Sequence, residues 1–182
     1  SFPTRRSSDL ENYLIEEGAE PNMAGLMDFA LFYIYGRVLE YDMYRIHKKS
    51  IGILRLAYKI FVRKQQDIID AIHKESDFDA PTPFAHTVEL AKPYVNFGVK
   101  MGEGWLLVAE MVEHIDRGTN NIVITQPFGC LPNHIVGKGV MKVVKERNPG
   151  VNLIAIDYDA SASEINQQNR IKLLLANAKQ EI

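Results

Sequence analysis

Of the 182 residues, 46% are hydrophobic and 24% charged, enough apolar material for a packed core in one or two small domains. The formal charge of -2 at pH 7 argues against a broad nucleic-acid surface, and no uninterrupted apolar run approaches the about 18 residues of a membrane span. A single cysteine, Cys130, excludes an intramolecular disulfide framework and fits a reducing cytoplasm.

The first ten residues, Ser1-Phe2-Pro3-Thr4-Arg5-Arg6-Ser7-Ser8-Asp9-Leu10, back-translate as TCT TTC CCT ACA CGA CGC TCT TCC GAT CT, the end of a widely used sequencing adaptor. Residues 1–10 are therefore read as an adaptor-like artefact and set aside from fold reasoning, with the protein's own start expected upstream of Glu11. Residues 11–17 read as the tail of a helix ending at Gly18, followed by an extended stretch at 19–23 and a helix over 26–40. Together, residues 11–40 suggest the remnant of an upstream α/β unit. Phe29, Phe32, Tyr33 and Tyr35 are spaced for a buried helix face.

Residues 41–80 read as a helical connection, most regular over 42–75. Leu54, Ala57, Tyr58, Phe61, Ile68 and Ile72 can share an apolar stripe, while Lys48, Lys49, Arg55, Lys59, Arg63 and Lys64 fit a solvated side or the phosphates of a CoA ligand. Prolines break the chain at 76–83, and Pro83 suits the first turn of a helix reaching Tyr94. Trp105, Val108, Met111, Val112 and Ile115 predict the next helix, stopping at Arg117-Gly118. Two strand-to-helix units follow: strand 121–126 with helix 134–147, then strand 152–157 with helix 164–178. Both strands are short apolar runs, as expected of parallel neighbours joined by a right-handed crossover. Ser161 and Glu164 have capping-box spacing. The predicted fold is α/β, with Rossmann-like or flavodoxin-like βα units on a parallel sheet over residues 81–182 and an additional helical segment ahead of them.

Chemistry concentrates where the first of these strands ends, in Gln126-Pro127-Phe128-Gly129-Cys130-Leu131-Pro132-Asn133-His134. In an open α/β sheet, the loop from a strand's carboxyl end into a helix collects ligands, because free N–H groups and the positive helix end point there. That field favours a thiolate, the form that attacks electrophiles or binds metals, although a lone cysteine also serves as a small buried hydrophobe. Pro127 and Pro132 stiffen the loop and Asn133 suits a helix N-cap. His134, four residues on, can bond the sulfur or simply pack. Gly137-Lys138-Gly139 fails as a Walker A loop, since Pro132 stands where the first glycine is required; Lys138 remains a cation for a phosphate or thioester oxygen. Asp157 and Asp159 close the second strand on the same edge and suit a ligand hydroxyl or a metal-bound water. Glu103 complements a helix dipole.

Taken in order, Pro81-Thr82-Pro83-Phe84, Gly102-Glu103-Gly104-Trp105-Leu106-Leu107, the Cys130 segment, Gly137-Lys138-Gly139, Ile156-Asp157-Tyr158-Asp159 and the run from Ser161 to Lys172 resemble the 2-hydroxyacyl-CoA (2-hydroxyglutaryl-CoA) dehydratases and their CoA-substrate-specific enzyme activase-related relatives. The likeness covers roughly residues 81–178 and is nearest to the carboxyl end of proteins that carry an activator ATPase ahead of a dehydratase-like region. It implies an oxygen-sensitive 4Fe-4S cluster with Cys130 as one metal ligand and with His134 and Lys138 near the cofactor. It also implies an acyl-CoA substrate, a partner activase module that hydrolyses ATP to supply a low-potential electron, radical dehydration, oligomerisation and a cytoplasmic setting. A cubane needs about four ligands, so the other thiolates are expected outside this sequence. Two alternatives remain: a non-catalytic electron-relay or interaction domain, and an unrelated α/β ligand-binding domain with a structural cysteine.

Overall fold

The computed structural model of the chain describes residues 3–158 and 163–180. It divides into one unit of Ala24–Glu113 and another formed by Ser1–Met23 with His114–Ile182. No helix among the described residues is long and apolar enough to cross a membrane.

The unit Ala24–Glu113 is helical. It contains α2 (Leu26–Tyr44), α3 (Ile51–Glu75), α4 (Phe84–Ala91) and most of α5 (Trp105–Asp116), whose last turn crosses the unit boundary; α1 (Pro3–Glu16) belongs to the other unit. Its core joins Leu31 and Phe32 of α2 to Phe84, Val88 and Ala91 of α4 and Trp105, Leu106 and Ala109 of α5. The indole of Trp105 stacks on Phe97 at 4.5 Å between centroids and meets the edge of Phe32 at 5.0 Å. Such pairs contribute about 0.5–1.5 kcal/mol each beyond area burial. Of the aromatics expected on one buried face of α2, Phe32 is buried and Phe29 and Tyr35 partly so, but Tyr33 is exposed.

The structure departs from the sequence expectations at several further points. Residues 19–25 join α1 to α2 without pairing into a sheet, so the extended stretch at 19–23 is no strand; it offers little apolar surface and has no strand beside it. The helix expected from residue 42 is interrupted at 45–50. Arg45 and His47 there adopt φ of 59° and 64°, and the Arg45 N–H caps α2 on the Tyr41 carbonyl. Polar groups gathered on the buried Glu40 carboxylate hold this corner: it meets the Arg37 guanidinium at 3.1 Å, His47 Nε2 at 2.8 Å and the Lys100 ammonium. Finally, the inward line of α3 runs through Gln65 and Ile69, while Phe61 and Ile68 are exposed. Gln65 tolerates burial because both ends of its amide are used. Nε2 donates to Asp28 Oδ1 at 2.7 Å, and Oε1 accepts the Phe84 N–H at 2.9 Å.

α4 stops at Ala91, short of Tyr94, because Pro93 has no N–H to return to the helix. The following turn needs Gly104: its φ is 42°, and a Cβ there would lie 2.4 Å from the Val99 carbonyl oxygen.

In the other unit, β1 (Asn121–Pro127) pairs in parallel with β2 (Asn152–Tyr158), in a register that sets Asn121 beside Asn152 and Pro127 beside Tyr158. Between them a π-helical stretch, Pro132–Gly137, runs directly into α6 (Lys138–Arg147); α7 (Glu164–Gln180) follows β2. Ile124, Val136, Val144, Leu153, Ala155, Ile156, Ile171 and Leu174 are buried in this unit. Ser161 and Asp159 lie outside the described residues.

Candidate functional site

Beyond Pro127 the ladder continues for one bond, Phe128 N–H to the Tyr158 carbonyl at 3.2 Å, and then the chain turns. Cys130 N–H bonds the Pro127 carbonyl at 3.1 Å, with Gly129 at φ 73° in the third position, where a type II turn calls for glycine. The Cys130 carbonyl accepts the first helical bond, from His134 N–H at 3.1 Å. The cysteine therefore stands at the carboxyl end of β1 and at the amino end of the helical run. It is a free, half-buried thiol.

Asn133 does not serve as the N-cap expected of it; it lies inside the helical run and ties that run to the strand. Asn133 Nδ2 donates to the Thr125 carbonyl at 2.7 Å, and Gln126 Nε2 donates to the Asn133 carbonyl at 3.1 Å. The same Asn133 carbonyl accepts the Lys138 N–H five residues later, the bond that defines the π winding. These links fix the loop's backbone from both sides, and each such bond contributes about 0.5–1.5 kcal/mol.

His134 and Lys138 follow Cys130 at intervals of four residues, and both are exposed. The structure places all three on the start of one helical run. It shows no hydrogen bond or ion pair joining the His134 ring or the Lys138 ammonium to the sulfur. Asp157 lies beside Gln126 in the strand register. Among the described residues, no group of three or more His, Cys, Asp or Glu side chains is arranged to hold a metal ion. One thiol falls short of the about four ligands a cubane needs, so these residues alone do not complete a cluster site.

No family model, curated protein or solved structure matches the chain.

Gln126 is the residue that sequence reading passes over. It occupies an inward strand position, is fully buried and directs the helix entry. The signal is visible in retrospect: an amide at the period-2 position that continues Ile122 and Ile124 demands a polar partner.

A second polar group lies within the helical unit. Burial raises the Asp28 carboxyl to about 6, against the lowering effect of its Gln65 bond, and neighbouring Glu113 adds to the rise. Burial likewise raises Glu110 to about 7, helped by the charges of Asp28, Glu103 and Glu113. Thr82 Oγ1 donates to Glu113 Oε1. Glu103 thus acts here as a charge beside Glu110, a role its position at a helix start does not disclose.

Proposed function

We propose that this chain is part of an iron–sulfur protein of the 2-hydroxyacyl-CoA dehydratase or activase-related kind, with its β1–α6–β2–α7 unit belonging to a Rossmann-like or flavodoxin-like domain. In this reading Cys130 supplies one cluster thiolate, and the remaining ligands come from protein outside these residues. His134 and Lys138 border the cofactor, an acyl-CoA is the substrate, and an ATP-hydrolysing activase is the electron-supplying partner in the cytoplasm. The observation that supports it is the position of Cys130: a half-exposed sulfur on a backbone-fixed turn at the carboxyl edge of a parallel strand pair. The ordered strings of residues that resemble the family supply the chemistry.

The test is anaerobic purification of the full-length protein, followed by iron and sulfide analysis of wild type and Cys130→Ala. Both contents are expected to fall in the variant, and unchanged iron would reject the ligand assignment. The competing reading, an α/β ligand-binding domain with a structural cysteine, draws on the half-burial of the thiol. It calls for a metal-free protein whose Cys130 reacts slowly with iodoacetamide.

A further inference from the structure

The outer side of α3 carries an apolar stripe. Nine residues at about 100° each set Ile60 half a turn from Ile69, which is buried. Ile53, Leu56 and Ile60 follow one another at helical spacing on that outer side, and each is at least half exposed. Beside them, an open groove of about 430 Å³ is lined by Met27 of α2 and by Ile60, Phe61, Ile68 and Ala71 of α3, with Lys64 and Asp67 as its charged members. Apolar surface gathered in this way, rather than scattered singly, marks a docking face.

The charge pattern selects the occupant. From Lys48 to Lys64 the chain carries six cations and no carboxylate; from Asp67 to Asp79 it carries five carboxylates against one lysine. The two halves of the helix are thus opposite in sign, and a second copy complements both when its own α3 runs antiparallel. A two-fold axis level with residue 65 brings Lys59 and Arg63 of one copy opposite Asp70 and Asp67 of the other, all four being exposed and on one flank of the stripe. Along the centre the same axis sets Ile60 against Ala71, and on the other flank Phe61 against Ile68. A parallel copy would set like charges side by side, and a partner of one sign would leave half of the helix unmatched. Contacts within the helix do not forestall the pairing. Lys64 meets Asp67 at 2.9 Å and Gln66 meets Asp70 at 2.7 Å, but both are exposed, and such surface contacts contribute little.

We propose that the outer face of α3 is a self-association surface on which two copies of this chain pack antiparallel about a two-fold axis, with matched basic and acidic halves flanking an apolar stripe. The surface goes beyond the cluster reading and stands on residues apart from Cys130 and its loop.

The experiment is sedimentation velocity of the full-length protein under reducing conditions, with two charge-reversed variants. Lys59→Asp with Arg63→Asp makes the charged flank acidic throughout, and Asp67→Lys with Asp70→Lys makes it basic throughout. Wild type is expected to be a dimer. Each variant alone is expected to have a dimer dissociation constant raised about 100-fold, because like charges then face each other across the axis. An equimolar mixture is expected to recover a dimer within about tenfold of wild type, since each copy supplies the sign the other lacks. A monomeric wild type, as when another segment of the same polypeptide covers the face, overturns the proposal. So does a dimer that both variants retain undiminished, and so does a mixture that stays monomeric while each variant keeps its helical circular dichroism. If a charge variant does not fold, Ile60→Lys on the centre of the stripe takes its place, and an undiminished dimer of that variant overturns the proposal. Sedimentation reads neither iron nor thiol, so its failure is distinct from failure of the cluster assignment.

Discussion

Glu110→Gln isolates the acidic group inside the helical unit. The Glu110 carboxyl titrates near 7 in the folded chain, against an ordinary 4.5. A carboxyl raised on folding binds more protons in the native state than in the unfolded one. Stability is therefore highest below the unfolded value and declines as pH rises through the folded value. With 1.36 kcal/mol per pH unit of difference, the loss from this residue between pH 5 and pH 8 is about 2–3 kcal/mol. The glutamine variant keeps the shape and removes the charge. Urea denaturation is expected to show it about 2 kcal/mol more stable than wild type at pH 8 and nearly equal at pH 5. Asp28, raised to about 6, adds a smaller decline of the same sign. The Asp28 charge is one cause of the Glu110 rise, so the variant removes that repulsion as well. Equal stability of wild type and variant at pH 8, or an unchanged pH slope, would refute the buried-charge argument.

Gln65→Met is expected to destabilise the helical unit by about 2–3 kcal/mol in urea denaturation, because it strands the Phe84 N–H and takes a donor from Asp28. The same variant is expected to move the Asp28 carboxyl further upward in a 13C titration, since its Gln65 bond is what lowers it. Gly104→Ala forces a Cβ against the Val99 carbonyl at a positive φ and is expected to cost about 2 kcal/mol or more, read as a lowered melting temperature.

The two parallel strands were legible because Ile122-Val123-Ile124 and Leu153-Ile154-Ala155-Ile156 are dense apolar runs bounded by asparagine and turn residues. The ends of α5 were legible for similar reasons, with Gly118 at φ 88° just past its stop. The break at 45–50 was not, because Arg45 and His47 take the left-handed conformation without being glycine, with His47 held by Glu40, which also pairs with the distant Lys100. Hydrophobic period also misplaced the inner line of α3. It counts Phe61 and Ile68 as core and leaves Gln65 off the stripe, whereas the pairing that buries Gln65 spans 37 residues to Asp28. At the candidate site, the position of Cys130 followed from strand, turn and helix order. The clamp between Gln126 and Asn133 depends on a three-dimensional approach that residue spacing does not encode.

The π winding at Pro132–Gly137 also bears on how this segment accommodates changes in length. A π turn contains one residue more than the α turn it replaces. Loss of a single residue between 132 and 137 would let the backbone relax to ordinary α geometry while α6 keeps its rotational phase and its packing against β2. Elsewhere in a helix the same deletion would swing every downstream side chain by about 100°. When the residue lost is one of 134–137, Lys138 becomes the fourth residue after Asn133, so the same carbonyl accepts the same N–H in α geometry, and the tether to Gln126 that braces the thiol-bearing turn survives with the scaffold around it.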